Sequence, residues 1–265
     1  MESERGKLYV IGLGPGDLSQ LTGRAVAALA ESEVVVGYRT YLELIRGLLD
    51  GKEVLSSGMR EEVARARSAV EIAASGRVVA IVSSGDPGIY GMAGLICELL
   101  RERGRQAGGS LELEVVPGVS ALNAAASLLG APLMNDFAAI SLSDLLTPWE
   151  VVLRRLDAAA QADFVLVLYN PRSAGRVEQF TQALEVVARH RPPETPVGIV
   201  RNAYREGQRV MVTDLGQLPE GEVDMLTTVV IGNSTTFPFE GWMVTPRGYA
   251  SRYDLGRAKE GRRHH

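Results

Sequence analysis

Nine consecutive residues combine the types needed to hold a small polar ligand: Ser83-Ser84-Gly85-Asp86-Pro87-Gly88-Ile89-Tyr90-Gly91. They follow a short apolar run, Val78-Val79-Ala80-Ile81-Val82, and lead into an apolar-periodic segment through Leu100. The pattern predicts a strand that ends in a tight turn and opens a helix. Gly85 and Gly88 let the backbone approach a ligand closely, and Pro87 fixes φ at the turn. Asp86 places a carboxylate where free backbone N–H groups gather, as a cap or as a partner for hydroxyl and amino groups. Two similar turns flank it in the chain, Gly12-Leu13-Gly14-Pro15-Gly16-Asp17 and Val116-Pro117-Gly118-Val119-Ser120-Ala121. Three such turns after successive parallel strands bring their loops to one sheet edge, where open α/β sheets bind ligands.

Other chemistries fit less well. Gly12 and Gly14 begin a dinucleotide fingerprint, but Asp17 stands where its third glycine belongs. The acidic ribose ligand expected after the second strand is replaced by Gly37-Tyr38-Arg39, and Pro15 removes an N–H that a pyrophosphate would use. His190 is the one histidine outside the terminal pair His264-His265, which leaves no Ser-His-Asp or multi-histidine metal constellation. The single cysteine, Cys97, excludes an intrachain disulfide and a cysteine-based zinc site. Its neighbours Leu95, Ile96, Leu99 and Leu100 predict a buried structural thiol. No metal is expected.

The elements that must position the three turns alternate, which predicts α/β architecture. Strands are expected at 7–13, 33–36, 77–82 and 111–115. Helices are expected at 18–32, 60–75 (Val63, Val70 and Ala73 turned inward) and 120–129. Gly130-Ala131-Pro132 breaks the pattern and predicts a boundary between an N-terminal α/β domain, 1–130, and a C-terminal one, 131–250. Beyond it, strands are expected at 138–142, 164–169, 197–201, 209–212 and 227–231, and helices at 149–160 and 176–190. A hairpin near Tyr204-Arg205-Glu206-Gly207-Gln208 implies a mixed sheet, and residues 251–265 are expected to form a mobile tail.

The 265 residues are 46% hydrophobic and 23% charged with a formal net charge of -4, the composition of a soluble globular protein without a global basic field for nucleic acid or anionic lipid. No apolar run reaches the roughly 18 residues that span a bilayer. The polar start Met1-Glu2-Ser3-Glu4-Arg5-Gly6 lacks the apolar core of a secretion signal, so a cytoplasmic protein is expected.

The three turns, in this order, resemble those of the tetrapyrrole (corrin and porphyrin) methyltransferase family. Leu168-Tyr169-Asn170-Pro171, Ile199-Val200-Arg201-Asn202-Ala203 and Thr227-Thr228-Val229-Val230-Ile231-Gly232-Asn233 extend the resemblance over about 7–249. Val36-Gly37-Tyr38-Arg39-Thr40-Tyr41, Ser56-Ser57-Gly58-Met59-Arg60, Tyr169-Asn170-Pro171-Arg172-Ser173 and Met243-Val244-Thr245-Pro246-Arg247-Gly248-Tyr249 are similar to one branch of it. That branch methylates carbon 17 of precorrin-3B or cobalt-precorrin-3 in cobalamin synthesis, with ring contraction.

The resemblance implies two α/β domains with a cleft for S-adenosylmethionine, a fold distinct from the Rossmann type, in a homodimer. It implies that Gly85 and Asp86 face the amino acid and ribose of that cofactor, Ile89 offers backbone groups, and Ser120 and Ala121 line the pocket. Tyr169 or Asn170, Ala203, and Thr227 or Thr228 contact adenine and ribose; many relatives carry Met where this chain has Asn170. Asp17 is the candidate base, or else the N-cap of the following helix. The polycarboxylate substrate draws on Arg39, Arg60, Arg172, Arg201 and Arg247, because guanidinium forks bind carboxylates bidentately. Tyr38 and Tyr41 stack on the macrocycle or close the core. Another corrin-pathway methyltransferase and a non-enzymatic tetrapyrrole carrier are the alternatives.

Overall fold

A computed structural model describes residues 6–58, 61–107, 111–173 and 175–255. The strands are β1 (Lys7–Gly12), β2 (Val34–Tyr38), β3 (Glu53–Ser57), β4 (Val78–Ser83), β5 (Glu112–Val116), β6 (Gly130–Ala131), β7 (Phe137–Ser141), β8 (Val165–Tyr169), β9 (Pro196–Arg201), β10 (Arg209–Asp214), β11 (Thr227–Ile231), β12 (Phe237–Phe239) and β13 (Trp242–Val244). The helices are α1 (Gly23–Glu31), α2 (Arg39–Leu44), α3 (Glu62–Ala74), α4 (Ala93–Ala107), α5 (Ala121–Leu129), α6 (Trp149–Gln161), α7 (Glu178–Ala188) and α8 (Tyr249–Arg252).

Two compact units emerge: Met1–Ala125 with Arg201–Arg209, and Ala126–Val200 with Val210–His265. The division falls inside α5 rather than at the expected Gly130 break, and Gly130 and Ala131 themselves form strand β6, paired with β13. The loop after β9 groups with the first unit although β9 and β10 are neighbours in a sheet of the second. Of the expected tail, Ser251 and Arg252 lie in α8 and 256–265 lie outside the described residues.

In the first unit five strands run in the order β3-β2-β4-β1-β5, every neighbouring pair parallel. Alternate strand residues point to opposite faces. Leu8, Val10, Val34, Val36, Val79 and Ile81 pack with Ala66, Ala69, Val70 and Ala73 of α3 and Ile96 of α4. Tyr9, Ile11, Val35, Ala80 and Val82 pack with Ala25, Ala28 and Leu29 of α1 and Leu42 of α2. Covering both faces is why these strands read as continuous apolar runs.

Two expectations about α3 and α4 are corrected. Val63 is exposed, since the buried stripe of α3 runs through Arg65, Ala66, Ala69, Val70 and Ala73. Cys97 is exposed, since α4 buries Ala93 and Ile96 and 100° of rotation per residue carries position 97 to the rim. The helix expected over 18–32 is divided as well. Asp17 caps a short 3-10 turn at Leu18–Gln20, then Thr22 starts α1 by accepting the Ala25 N–H at 3.1 Å.

The second unit holds a five-stranded sheet in the order β10-β9-β11-β8-β7, mixed because β7 pairs with β8 in parallel and β11 pairs with β8 antiparallel. Its core gathers Leu156 and Ala160 of α6, Phe180 and Val187 of α7, and the inward residues of the strands. A small sheet, β12-β13-β6, completes the unit.

Candidate functional site

The strand order places β1 between β4 and β5, so the three glycine turns stand side by side at the C-terminal edge of the first sheet. They are joined through backbone. Leu13 donates to Ser83 O at 2.9 Å, Gly14 N to Gly85 O at 3.1 Å, and Gly85 N to Gly14 O at 2.8 Å. A Cβ at Gly118 would lie 2.2 Å from Gly85 O and 2.8 Å from the Gly12 carbonyl, and one at Gly12 would lie 2.6 Å from Gly118 N. These two glycines therefore serve loop-to-loop packing. Gly85 is different: its φ of +65° is the left-handed region, whereas its missing Cβ would meet Ala121 N only at 3.6 Å.

Asp86 ties the second loop to the third. Its Oδ1 accepts from Gly88 N at 2.8 Å and its Oδ2 from Gly118 N at 3.1 Å, so each oxygen retains acceptor capacity for a hydroxyl or ammonium. Ile89 is half-buried and donates its N–H to Asp86 O at 3.2 Å. Next to it, Tyr90 has a φ of 53° with its ring exposed, an uncommon conformation for an aromatic residue. Ser120 is buried at the start of α5, where its hydroxyl accepts from Asn123 N at 3.3 Å and donates to Asn123 Oδ1 at 3.0 Å. Ala121 follows it, half-buried beside Gly85.

Asp17 is exposed, and its Oδ1 accepts the Ser19 N–H at 2.7 Å. The Ser19 side chain first, and its N–H second, hold the Asp17 carboxyl below the usual carboxylate range. The cap role is thus filled, and the basicity is low.

Arg205, read from sequence only as part of a hairpin, reaches the same edge. Its Nε donates to Pro15 O and its Nη2 to Ser84 Oγ at 2.8 Å, joining the β1 and β4 loops. Gly16 takes a φ of +148°, which favours glycine, and a Cβ there would also meet the Arg205 side chain at 2.5 Å. Asn202 and Tyr204, flanking the half-buried Ala203, take φ of 51° and 54°, and Arg205 N returns to Asn202 O at 2.9 Å. Burial lowers the Arg205 pKa, opposed by nearby Tyr41; burial raises the Tyr41 pKa, opposed by Arg205. No local sequence signal marks this residue, because its partner Pro15 is 190 positions away.

In the second unit Tyr169 ends β8 and pairs with Ser141, whose hydroxyl accepts from Asn170 Nδ2 at 3.0 Å. Asn170 takes a φ of 49°, and the Arg176 guanidinium donates to its carbonyl at 3.2 Å and to Leu142 O at 2.7 Å. The pairing of Val229 with Leu168 makes buried Thr228 and Tyr169 the next positions outward on β11 and β8. Thr227 is committed locally, its hydroxyl donating to Asp224 Oδ1 at 2.8 Å.

Of the arginines expected to meet substrate, Arg39 and Arg247 are exposed, Arg172 and Arg201 are half-buried, and Arg60 lies outside the described residues. Tyr38 and Tyr41 meet edge-to-face, with centroids 5.2 Å apart. Among the described residues no group of three His, Cys, Asp or Glu side chains is placed to hold a metal ion, and no helix is long and apolar enough to cross a membrane.

Residues 7–219 match the family model for tetrapyrrole (corrin/porphyrin) methylases. The chain belongs to this family. A cobalt-factor III methyltransferase of Priestia megaterium is 51% identical over 98% of this chain, which spans 48% of that relative's length. A probable cobalt-factor III C(17)-methyltransferase of Salmonella typhimurium is 47% identical over 91% of this chain and 99% of its own. Among solved tetrapyrrole methylases, the methyltransferase CobJ superposes with a TM-score of 0.85 at 40% identity, covering 91% of this chain and 100% of that one. A uroporphyrin-III C-methyltransferase of Thermus thermophilus, complexed with S-adenyl homocysteine, gives 0.63 at 27% identity, covering 86% and 92%.

Proposed function

We propose that this tetrapyrrole methylase is an S-adenosylmethionine-dependent C-methyltransferase of cobalamin synthesis. It methylates carbon 17 of precorrin-3B or of the cobalt counterpart, with ring contraction. The observation that carries the reading is the interlocked loop edge of the first unit. There Asp86, the αL turn at Gly85 and the start of α5 present acceptors and backbone groups around a glycine surface.

That edge fits the donor's chemistry. Asp86 receives hydroxyl or ammonium hydrogens, Gly85 and Ile89 present backbone groups, and Ser120 and Ala121 close the side. When bound, the donor supplies an electrophilic methyl group on its sulfonium. What remains for the protein is alignment and exclusion of water, which lowers a barrier by several kcal/mol through proximity alone. Tyr169 or Asn170, Ala203, and Thr227 or Thr228 are the proposed contacts of adenine and ribose. Asp17 is the proposed proton acceptor: its carboxyl is exposed, and the Ser19 N–H is bound to Oδ1, which leaves Oδ2 to take the proton.

The chain functions as a homodimer in this reading. Exposed Phe237, Phe239 and Trp242 on β12 and β13 supply apolar surface of the kind subunit contacts use. The test is direct. Purified protein, S-adenosylmethionine and either tetrapyrrole, without oxygen, should yield a product heavier by one methyl group. A protein that binds S-adenosylhomocysteine but leaves both masses unchanged refutes the assigned substrate. Absence of S-adenosylhomocysteine binding refutes the enzyme class.

A further inference from the structure

Two buried or half-buried arginines at the loop edge lack the carboxylate that their counterparts elsewhere possess. Arg24 pairs with Glu31 and Glu114, Arg77 with Glu53, Arg176 with Asp144, and Arg191 with Asp163. Arg65 is 7% exposed, yet its Nη1 meets only the Ser57 hydroxyl at 2.5 Å and, weakly, Gly58 O at 3.4 Å. Its Nε is sealed from solvent with no partner among the described residues. Arg205 uses Nε and Nη2 on Pro15 O and Ser84 Oγ, and neither arginine meets a carboxylate among the described residues. A guanidinium withdrawn from water without a counter-ion is costly, and an arriving anion relieves that cost.

The sheet brings the two together. Ser57 ends β3 opposite Tyr38 of β2, and β2 lies between β3 and β4, which leads to Ser84. With strands about 4.8 Å apart, the β3 and β4 ends that carry these serines are separated by roughly 10 Å of sheet. Tyr41, edge-to-face with Tyr38, lies near enough to both guanidiniums to feel their charge. Two acidic residues lie near, Glu61 and Glu62 at the start of α3. Glu61 Oε2 is occupied by Gly58 N at 2.6 Å, and Glu62 is exposed.

We propose that Arg65, held on Ser57 at the end of β3, and Arg205, held on Ser84 after β4, bind two peripheral carboxylate arms of the macrocycle, one per guanidinium. This rests on the tetrapyrrole reading and adds two residues that the sequence motifs did not single out. Each arginine is already aimed by a serine, so its fork is pre-organised and little side-chain freedom is lost on binding.

The experiment is steady-state methyl transfer to cobalt-factor III with the full chain and the variants Arg65→Gln, Arg65→Lys, Arg205→Gln and Arg205→Lys. S-adenosylhomocysteine affinity and thermal midpoint are measured alongside. Each Gln variant should raise KM for the tetrapyrrole about tenfold or more, equivalent to about 1.4 kcal/mol. KM for S-adenosylmethionine should stay within about twofold, and Lys should restore part of the loss because it keeps the charge without the fork. Unchanged tetrapyrrole KM in active Gln variants overturns the proposal. So does a KM rise that comes with lowered S-adenosylhomocysteine affinity or midpoint and is not rescued by Lys, because that pattern belongs to a structural role. A wild-type chain that binds the homocysteine product but methylates nothing overturns the substrate reading itself.

Discussion

Gly118→Ala is the perturbation for which the structure gives the clearest magnitude. The added methyl carbon would sit 2.2 Å from Gly85 O and 2.8 Å from both the carbonyl carbon and oxygen of Gly12. Ordinary contact begins near 3.4 Å, so the loops must separate by about 1 Å. All three obstacles are backbone, and no rotamer change relieves them. Separation stretches the Gly118 N–Asp86 Oδ2 bond of 3.1 Å and strains the Gly14–Gly85 pair at 2.8 and 3.1 Å. Overpacking of this kind costs about 1–3 kcal/mol, and each weakened hydrogen bond about 1 kcal/mol more. A loss of roughly 4 kcal/mol lowers the midpoint of a chain this size by about 10 °C. Thermal unfolding followed by circular dichroism measures it, with Gly23→Ala as the comparison because nothing lies within 4 Å of that position. Homocysteine-product affinity should fall in parallel. A Gly118→Ala protein melting within about 2 °C of wild type would show that the loops are not packed as described.

Three further outcomes are expected. Asp17→Ala should slow turnover and leave S-adenosylhomocysteine affinity unchanged in calorimetry; an unaltered rate would remove Asp17 from the chemistry. Arg24 binds Glu114 and Glu31; it holds the Glu114 carboxyl below the ordinary 4.5, and the Tyr9 hydroxyl first, then Arg24, do the same for Glu31. Their contribution is therefore present above pH 4.5 and is lost as pH falls through the depressed values. Arg24→Gln should lower stability at pH 7 and flatten the acid limb of a stability–pH profile, and an unchanged limb would contradict the linkage. Gly104 lies inside α4 with open space around it, so Gly104→Ala should raise stability by up to about 1 kcal/mol in denaturant titration.

Strand β3 shows why parts of the fold were hard to read. It is a sheet edge of sequence Glu53-Val54-Leu55-Ser56-Ser57 with little burial, so it lacks the apolar run that marked β1, β4 and β8. Helix α2 spans only Arg39–Leu44, too short for periodicity to register. The apolar neighbours of Cys97 in sequence are not its neighbours on the helix face, so its exposure follows from rotation, not composition.

The amino-acid order by itself determined what local rules govern. It settled the alternation of strands and helices, the mixed second sheet implied by a late hairpin, the glycine turns after three strands, and a motif set specific enough to name the family. What tertiary structure decided was adjacency. Only the order β3-β2-β4-β1-β5 makes Gly12 and Gly118 each other's neighbours, lets Asp86 hold the third loop, and sets Arg65 and Arg205 at one edge. Such contacts join residues as far apart as Pro15 and Arg205, and no short-range pattern encodes them. They follow from which strands pair, a choice made by burying whole faces at once rather than by any single segment.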